Sequence, residues 1–252
     1  MTSFWHWPLL FATGLAAGFV DSVAGGGGLI TLPVLMSLGL APQEALGTNK
    51  LQATFGSASA AAHYAHAKAV SLKDCARGFI CTLIGAAAGA LTVQQINAEF
   101  LRKAIPVLLI LVALYVLFRP RFGATDAPPR MSRVWFDILF GGLLGFYDGF
   151  FGPGTGTFWA VACVVGLGFN LTRATGYTKV MNFASNVSSL VLFLAARRAD
   201  MPIGITMGIG QLVGARVGSR MVIARGAPFI GPVFLAVVLL LAIKLLFQAY
   251  AS

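Results

Sequence analysis

Two lysines and two aspartates are the residues of this chain best placed to do chemistry. Lys50 follows Gly47-Thr48-Asn49, and Lys179 follows Gly176-Tyr177-Thr178. Asp21 and Asp148 each precede a glycine-rich break, Gly25 to Gly28 in the first half and Gly152-Pro153-Gly154-Thr155-Gly156 in the second. All four charges stand inside apolar sequence. A carboxylate at the centre of a bilayer costs roughly 2.5–3.5 kcal/mol on insertion scales, and backbone groups freed by a broken helix add to that cost. A chain that keeps both features twice uses them.

Two ammonium groups beside exposed helix N-termini make a site for a small anion, because the first backbone N–H groups and the helix dipole both favour negative charge. Glycine lets an oxyanion approach that backbone closely. Gly25, Gly26, Gly27 and Gly28, with Gly152, Gly154 and Thr155, are therefore candidate solute contacts, and Lys50 and Lys179 supply charge. Asn49, Thr178, Asn182 and Asn186 are candidate orienting groups, and Asn182 and Asn186 share a helix face with Lys179. Asp21 and Asp148 are candidate proton-coupling groups, since burial favours the neutral acid. Plainer roles stay open for each. The lysines can snorkel to the interface or pair with the aspartates, the aspartates can cap the half-helices, and the glycines can simply permit tight packing.

The elements that must position these groups are membrane helices. Of 252 residues, 58% are hydrophobic and only 10% charged, and the mean hydropathy is +0.83. Apolar stretches exceed the ~18–20 residues needed to cross a hydrocarbon core of ~30 Å, and they are continuous rather than alternating, which argues against a β-barrel. The fold class is all-α, a polytopic membrane protein in two homologous repeats with glycine-broken or re-entrant half-helices. Helices are expected over about 8–23, 28–40, 41–66, 76–93, 99–118, 134–150, 155–168, 172–196, 202–223 and 229–250. Segments 28–40 and 155–168 are too short to cross alone. No cleaved signal peptide is expected, the first helix serving as its own insertion signal.

The halves match each other. Asp21 and Gly25 map onto Asp148 and Gly152 at a spacing of 127, and Gly47, Lys50, Gly85 and Gly89 map onto Gly176, Lys179, Gly214 and Gly218 at a spacing of 129. A two-residue insertion reconciles the registers, and such duplication is common in transporter folds. The division is 1–120, a first repeat; 121–133, a loop; and 134–252, a second repeat. Loops bearing Lys68, Lys73 and Arg77, and Arg119 to Arg133, should be cytoplasmic. Four crossings per half would add the Arg197-Arg198 loop to that side and leave the repeats parallel. Five would add the Arg220–Arg225 loop and invert them. Both schemes satisfy the charge rule.

Other classes fare worse. The formal charge of +10 forms no extended basic face, so no nucleic-acid partner is expected. Cys75, Cys81 and Cys163 lack metal-ligand spacing and read as small apolar residues. Ser57 and His63, six apart on one helix, face poorly for an intramembrane protease. No catalytic residue, cofactor or metal is expected. The partners expected are a small anionic solute and membrane lipid, with self-association left open.

The stretch Ala24-Gly-Gly-Gly-Gly-Leu-Ile-Thr-Leu-Pro33, followed by Gly47-Thr-Asn-Lys50, resembles the sulfite exporter TauE/SafE family of membrane permeases, and Thr178-Lys-Val-Met-Asn-Phe-Ala-Ser-Asn186 resembles its later signature. The resemblance covers nearly the whole chain. It implies a bacterial inner-membrane secondary transporter of about eight transmembrane helices in two repeats, commonly exporting sulfite, sulfoacetate, a sulfonate or other organosulfur anions. Tyr177 departs from the first repeat's Thr48, and the second break is less regular than the first. A passive anion channel and a non-transporting membrane assembly factor are the competing readings. An ATP-driven permease subunit would need a partner ATPase.

Overall fold

The computed structural model describes residues 6–118 and 125–226. Among them the chain forms nine α-helices and no strand: α1 His6–Ala24, α2 Gly27–Ser37, α3 Pro42–His66, α4 Leu72–Gln95, α5 Ala98–Phe118, α6 Arg133–Phe150, α7 Thr155–Leu167, α8 Leu171–Ala195 and α9 Met201–Arg225. The expected segment 229–250 lies outside the described residues. The largest departure from expectation is α4, which begins at Leu72 because the Ser71 hydroxyl caps it, accepting from the Asp74 N–H. Ser132, Asn170 and Asp200 cap α6, α8 and α9 in the same way. Pro42 opens α3, where its missing N–H is no loss.

The short helices turn back. α1 runs alongside α9 in the same direction, with Gly14 against Met207, Gly18 against Gln211 and Gly218 against Ser22. The chain then breaks at Gly25, whose φ of +78° suits glycine. α2 returns to the end where α1 began, so that Ala41 and Glu44 share an open cleft with Gln95 and Arg197. α6 and α7 form the matching hairpin at the other end, where Arg133, Phe169 and Asn170 share a cleft with Lys68. The two ends are called below the Arg197 end and the Lys68 end.

α3 and α8 run antiparallel. Thr48 near the start of α3 accepts from the Asp200 N–H just beyond α8, while Gly176 near the start of α8 packs on Tyr64 at the end of α3. The contacts pair across the halves: α1 packs on α9 as α6 packs on α4. α3 and α8 thus run in opposite directions, as inverted halves would, while α2 and α7, of 11 and 13 residues, turn back and do not make the five crossings per half expected of that scheme. Helix starts recur at the sequence spacing, α3 at Pro42 against α8 at Leu171 and α4 at Leu72 against α9 at Met201.

Small residues let these pairs approach. A Cβ on Gly149 of α6 would sit 2.7 Å from the Ala86 Cα of α4, closer than carbon atoms pack. Glycine stripes of this kind suit helix pairs in lipid, where packing replaces the hydrophobic drive. The Gly85/Gly89 and Gly210/Gly214/Gly218 series have that structural role. Large apolar side chains face outward instead, including Ile80, Ile84 and Leu91 of α4 and Leu139 and Leu143 of α6. By length and composition α1 and α4 suit a bilayer crossing. α3 and α8 are too polar to pass that test, because their polar residues turn inward, with Asn49, Lys50 and Gln52 buried on α3 and Lys179, Asn182 and Asn186 on α8.

Candidate functional site

The two hairpin tips meet in the middle of the bundle. The Gly25 backbone lies against Gly156, and Gly28 against Pro153. The Thr157 hydroxyl donates to the Ala24 carbonyl at 2.9 Å, tying one tip to the other. Backbone without regular helix is thus enclosed by protein, as a membrane interior demands.

The four charges form two ion pairs that cross between the halves. Lys50 Nζ of α3 stands 2.6 Å from Asp148 Oδ1 of α6, with the lysine 1% exposed, and it also donates to the Asp148 carbonyl. The second carboxylate oxygen of Asp148 accepts from the Ser185 hydroxyl. Lys179 Nζ of α8, fully buried, stands 2.9 Å from Asp21 Oδ2 of α1. Asp21 Oδ1 accepts from the Gly27 N–H at 3.4 Å, capping α2. Among the roles the sequence left open, the lysines are thus paired with carboxylates and kept from the headgroups, and Asp21 both pairs and caps. Each lysine lies eight residues inside its helix, deep enough for the ammonium to reach the hairpin tip of the opposite half.

A central cavity of about 30 Å³ lies beside the pairs, lined by Asp21, Gly25, Gly28, Asn49, Lys50 and Asp148, and also by Gly152, Gly154, Thr155, Asn182 and Asn186. Thr178 and Lys179 face a smaller adjoining space of about 10 Å³ that shares Gly25 with it. Gly26 and Gly27 line neither, since they form the capped first turn of α2. Asn49 Oδ1 accepts from Thr31 at 2.6 Å and from Gln52 at 2.8 Å. Asn186 donates to the Ser57 hydroxyl, which in turn donates to the Ala53 carbonyl, so Ser57 is part of the helix scaffold. A water molecule needs roughly 10–15 Å³ of such space, so the cavity takes one or two waters, and a polyatomic solute requires the helices to part.

Two groups escaped the sequence reading. Gln211 of α9 lines the central cavity; its only signal was an amide among the apolar and glycine residues of that helix. At the Lys68 end, Asp137 is buried and accepts from Tyr177 at 2.8 Å and from Arg133 Nε at 3.0 Å. Arg133 also lies over the Tyr177 ring, 4.7 Å from its centroid. This network explains the departure of Tyr177 from its first-half counterpart Thr48, which caps a turn instead.

The family model for the sulfite exporter TauE/SafE family matches residues 10–245. The chain belongs to the TauE/SafE family. It is 43% identical over 244 residues to the probable membrane transporter protein YfcA of Escherichia coli K12, covering 97% of this chain and 91% of that protein. It is 42% identical over 240 residues to a probable membrane transporter protein of Haemophilus influenzae, covering 95% and 94%. A more distant relative, the probable membrane transporter protein YdhB of Bacillus subtilis, is 23% identical over 243 residues, covering 92% and 98%. No solved structure matches. This TauE/SafE protein is therefore a membrane transporter, and the paired charges lie at the heart of a transporter fold.

Proposed function

We propose that this protein is a secondary transporter of the bacterial inner membrane, spanning it several times as two inverted repeats, that exports a small sulfur oxyanion such as sulfite or a sulfonate. The observation that carries the proposal is the crossed pair of buried ion pairs beside the central cavity. Breaks at hairpin tips enclosed near the middle of a helical bundle are the usual seat of a transported solute.

The charge balance suggests the mechanism. With all four groups ionised the centre is neutral, and a carboxylate occupies each ammonium. An incoming anion must displace one carboxylate, which would leave that carboxylate buried without its cation. Delivery of a proton to the same carboxylate removes the conflict. Asp148 as a neutral acid releases Lys50, and the ammonium then turns to the solute; Asp21 and Lys179 repeat the step in the other half. Lys50 and Lys179 would hold the charge of the anion, with Asn49, Thr178, Asn182 and Asn186 fixing its orientation beside Gly25, Gly152 and Thr155. Proton and anion then move together, one for each pair engaged.

Orientation follows from charge. Lys68, Lys73, Arg77, Arg130, Arg133, Arg173 and Arg225 gather at the Lys68 end against Asp74, Asp126 and Asp137. At the Arg197 end, Arg102, Lys103, Arg197 and Arg198 are balanced by Glu44, Glu99 and Asp200. The positive-inside rule assigns the Lys68 end to the cytoplasm.

The test is anion flux in proteoliposomes holding the full chain. Lys50→Ala and Lys179→Ala should each abolish sulfite and sulfonate flux while the protein still inserts. Flux should rise with an imposed proton gradient and show counterflow exchange, whereas a channel would show neither. Normal flux in both variants would refute the assignment.

A further inference from the structure

Two of the residues that line the central cavity hold a buried side-chain oxygen without a hydrogen-bond partner among the described residues. Gln211 is 1% exposed and lines the cavity, yet its side-chain oxygen has no hydrogen-bond partner among the described residues. The same holds for the side-chain oxygen of Asn182, on the helix that carries Lys179. A buried polar atom left unpaired is costly, and native structures keep few of them outside functional sites.

The fold makes deliberate room for the Gln211 arm. Gly56 of α3 lies under it, and a Cβ there would fall 2.5 Å from Gln211 Cγ and 2.8 Å from its nitrogen. The residues related to Gly56 and Gln211 by the 129 spacing are Ser185 and Thr82, whose hydroxyls are engaged by Asp148 and Met181. The amide arm therefore belongs to one half only and breaks the symmetry of the chamber. A symmetric pair of cations serves any anion. An acceptor on one side serves a solute with two different ends.

We infer that Gln211 and Asn182 form a hydrogen-bond-accepting side of the solute site, selecting a small sulfur oxyanion that also bears an O–H or N–H donor. This rests on the anion reading above and deepens it. The lysine pair takes the negatively charged oxygens, while the Gln211 and Asn182 oxygens accept from the donor. A fully substituted or fully deprotonated anion that displaces the cavity water leaves those two acceptors unpaired. Sites built around such acceptors discriminate against analogues that lack the donor.

The test compares hydroxymethanesulfonate with methanesulfonate, which differ by a single hydroxyl, as fluxes in proteoliposomes of the full chain. The wild-type protein should move the hydroxylated anion about tenfold faster at limiting concentration, the scale of one well-made hydrogen bond. Gln211→Met, which keeps length and apolar volume, combined with Asn182→Leu removes both acceptors and should bring the ratio of the two fluxes close to one. Equal wild-type fluxes overturn the inference, and so does a ratio that survives in the double variant. The wild-type comparison decides the matter even where the variant fails to insert. Should neither anion move, the anion reading falls and takes this inference with it; equal movement of both sinks only the donor selection.

Discussion

Replacing Asp148 with Asn probes the arrangement most sharply. At 2.6 Å and an effective dielectric of ~20, two unit charges attract by about 6 kcal/mol. Desolvation opposes this by several kcal/mol for each buried ion, so the intact pair contributes little net stability. The Asn variant removes the attraction while Lys50, 1% exposed, stays buried away from bulk solvent. Stranding one partner of a buried pair costs about 3–5 kcal/mol, a fall in unfolding temperature on the order of 10 °C. Lys50→Met combined with Asp148→Leu removes both charges and should recover most of that loss, yet stay silent in anion flux because the ammonium is gone. Thermal unfolding of the detergent-purified single and double variants, read as a double-mutant cycle, measures the coupling. An unchanged melting temperature in D148N would refute the reasoning, as would a double variant no more stable than D148N. The related Asp21→Asn should be milder, since the Asp21 side chain keeps 17% of its surface exposed.

Three further outcomes follow. Gly149→Ala should destabilise by about 1–3 kcal/mol through overpacking against the Ala86 backbone, whereas Gly142→Ala, with nothing within 4 Å of the new methyl, should be neutral; thermal unfolding separates them. Asp137→Asn should cost roughly 1.5–3 kcal/mol by weakening charge-assisted hydrogen bonds with Arg133 at 3.0 Å and Tyr177 at 2.8 Å, and the same melts measure it. Cysteines introduced at Lys68 and Arg197 in separate variants should react with a membrane-impermeant thiol reagent from opposite sides, Lys68→Cys only from the cytoplasmic face; labelling of both from one side would overturn the inverted orientation.

Much of this site was legible in the sequence because the physics behind it is expensive. An aspartate and a glycine break inside apolar sequence have few uses, and their recurrence with a lysine in step marked the central groups, eleven of which line the cavity. The pairing of Lys50 with Asp148 rather than Asp21 was not legible. It depends on which helices adjoin, and each lysine reaches a hairpin tip 98 or 158 residues away. The antiparallel course of α3 and α8 was equally hidden, since the charge rule admitted two crossing numbers. Gln211 escaped because a single amide carries no periodicity. Its meaning arises from Gly56, 155 residues earlier, which clears the space it fills.

On the proposed transport cycle, the antiparallel course of α3 and α8 would place the two lysines at different steps. Lys179 lies about two turns into α8 from the Lys68 end, and Lys50 about two turns into α3 from the Arg197 end. The small space beside Lys179 shares Leu171 with the Lys68-end cleft and shares Gly25 and Gly156 with the central cavity. The Arg197-end cleft shares no lining residue with that cavity. A solute moving from the basic end therefore meets Lys179 first and Lys50 second. Release of Asp21 would have to precede release of Asp148, because the anion cannot reach Lys50 while the Lys179 pair is closed. On that order, Lys50→Ala should still allow solute binding from the Lys68 end while abolishing passage, whereas Lys179→Ala should abolish both. Binding from that side measured on the two variants would separate them, and loss of binding in K50A with retention in K179A would reverse the order.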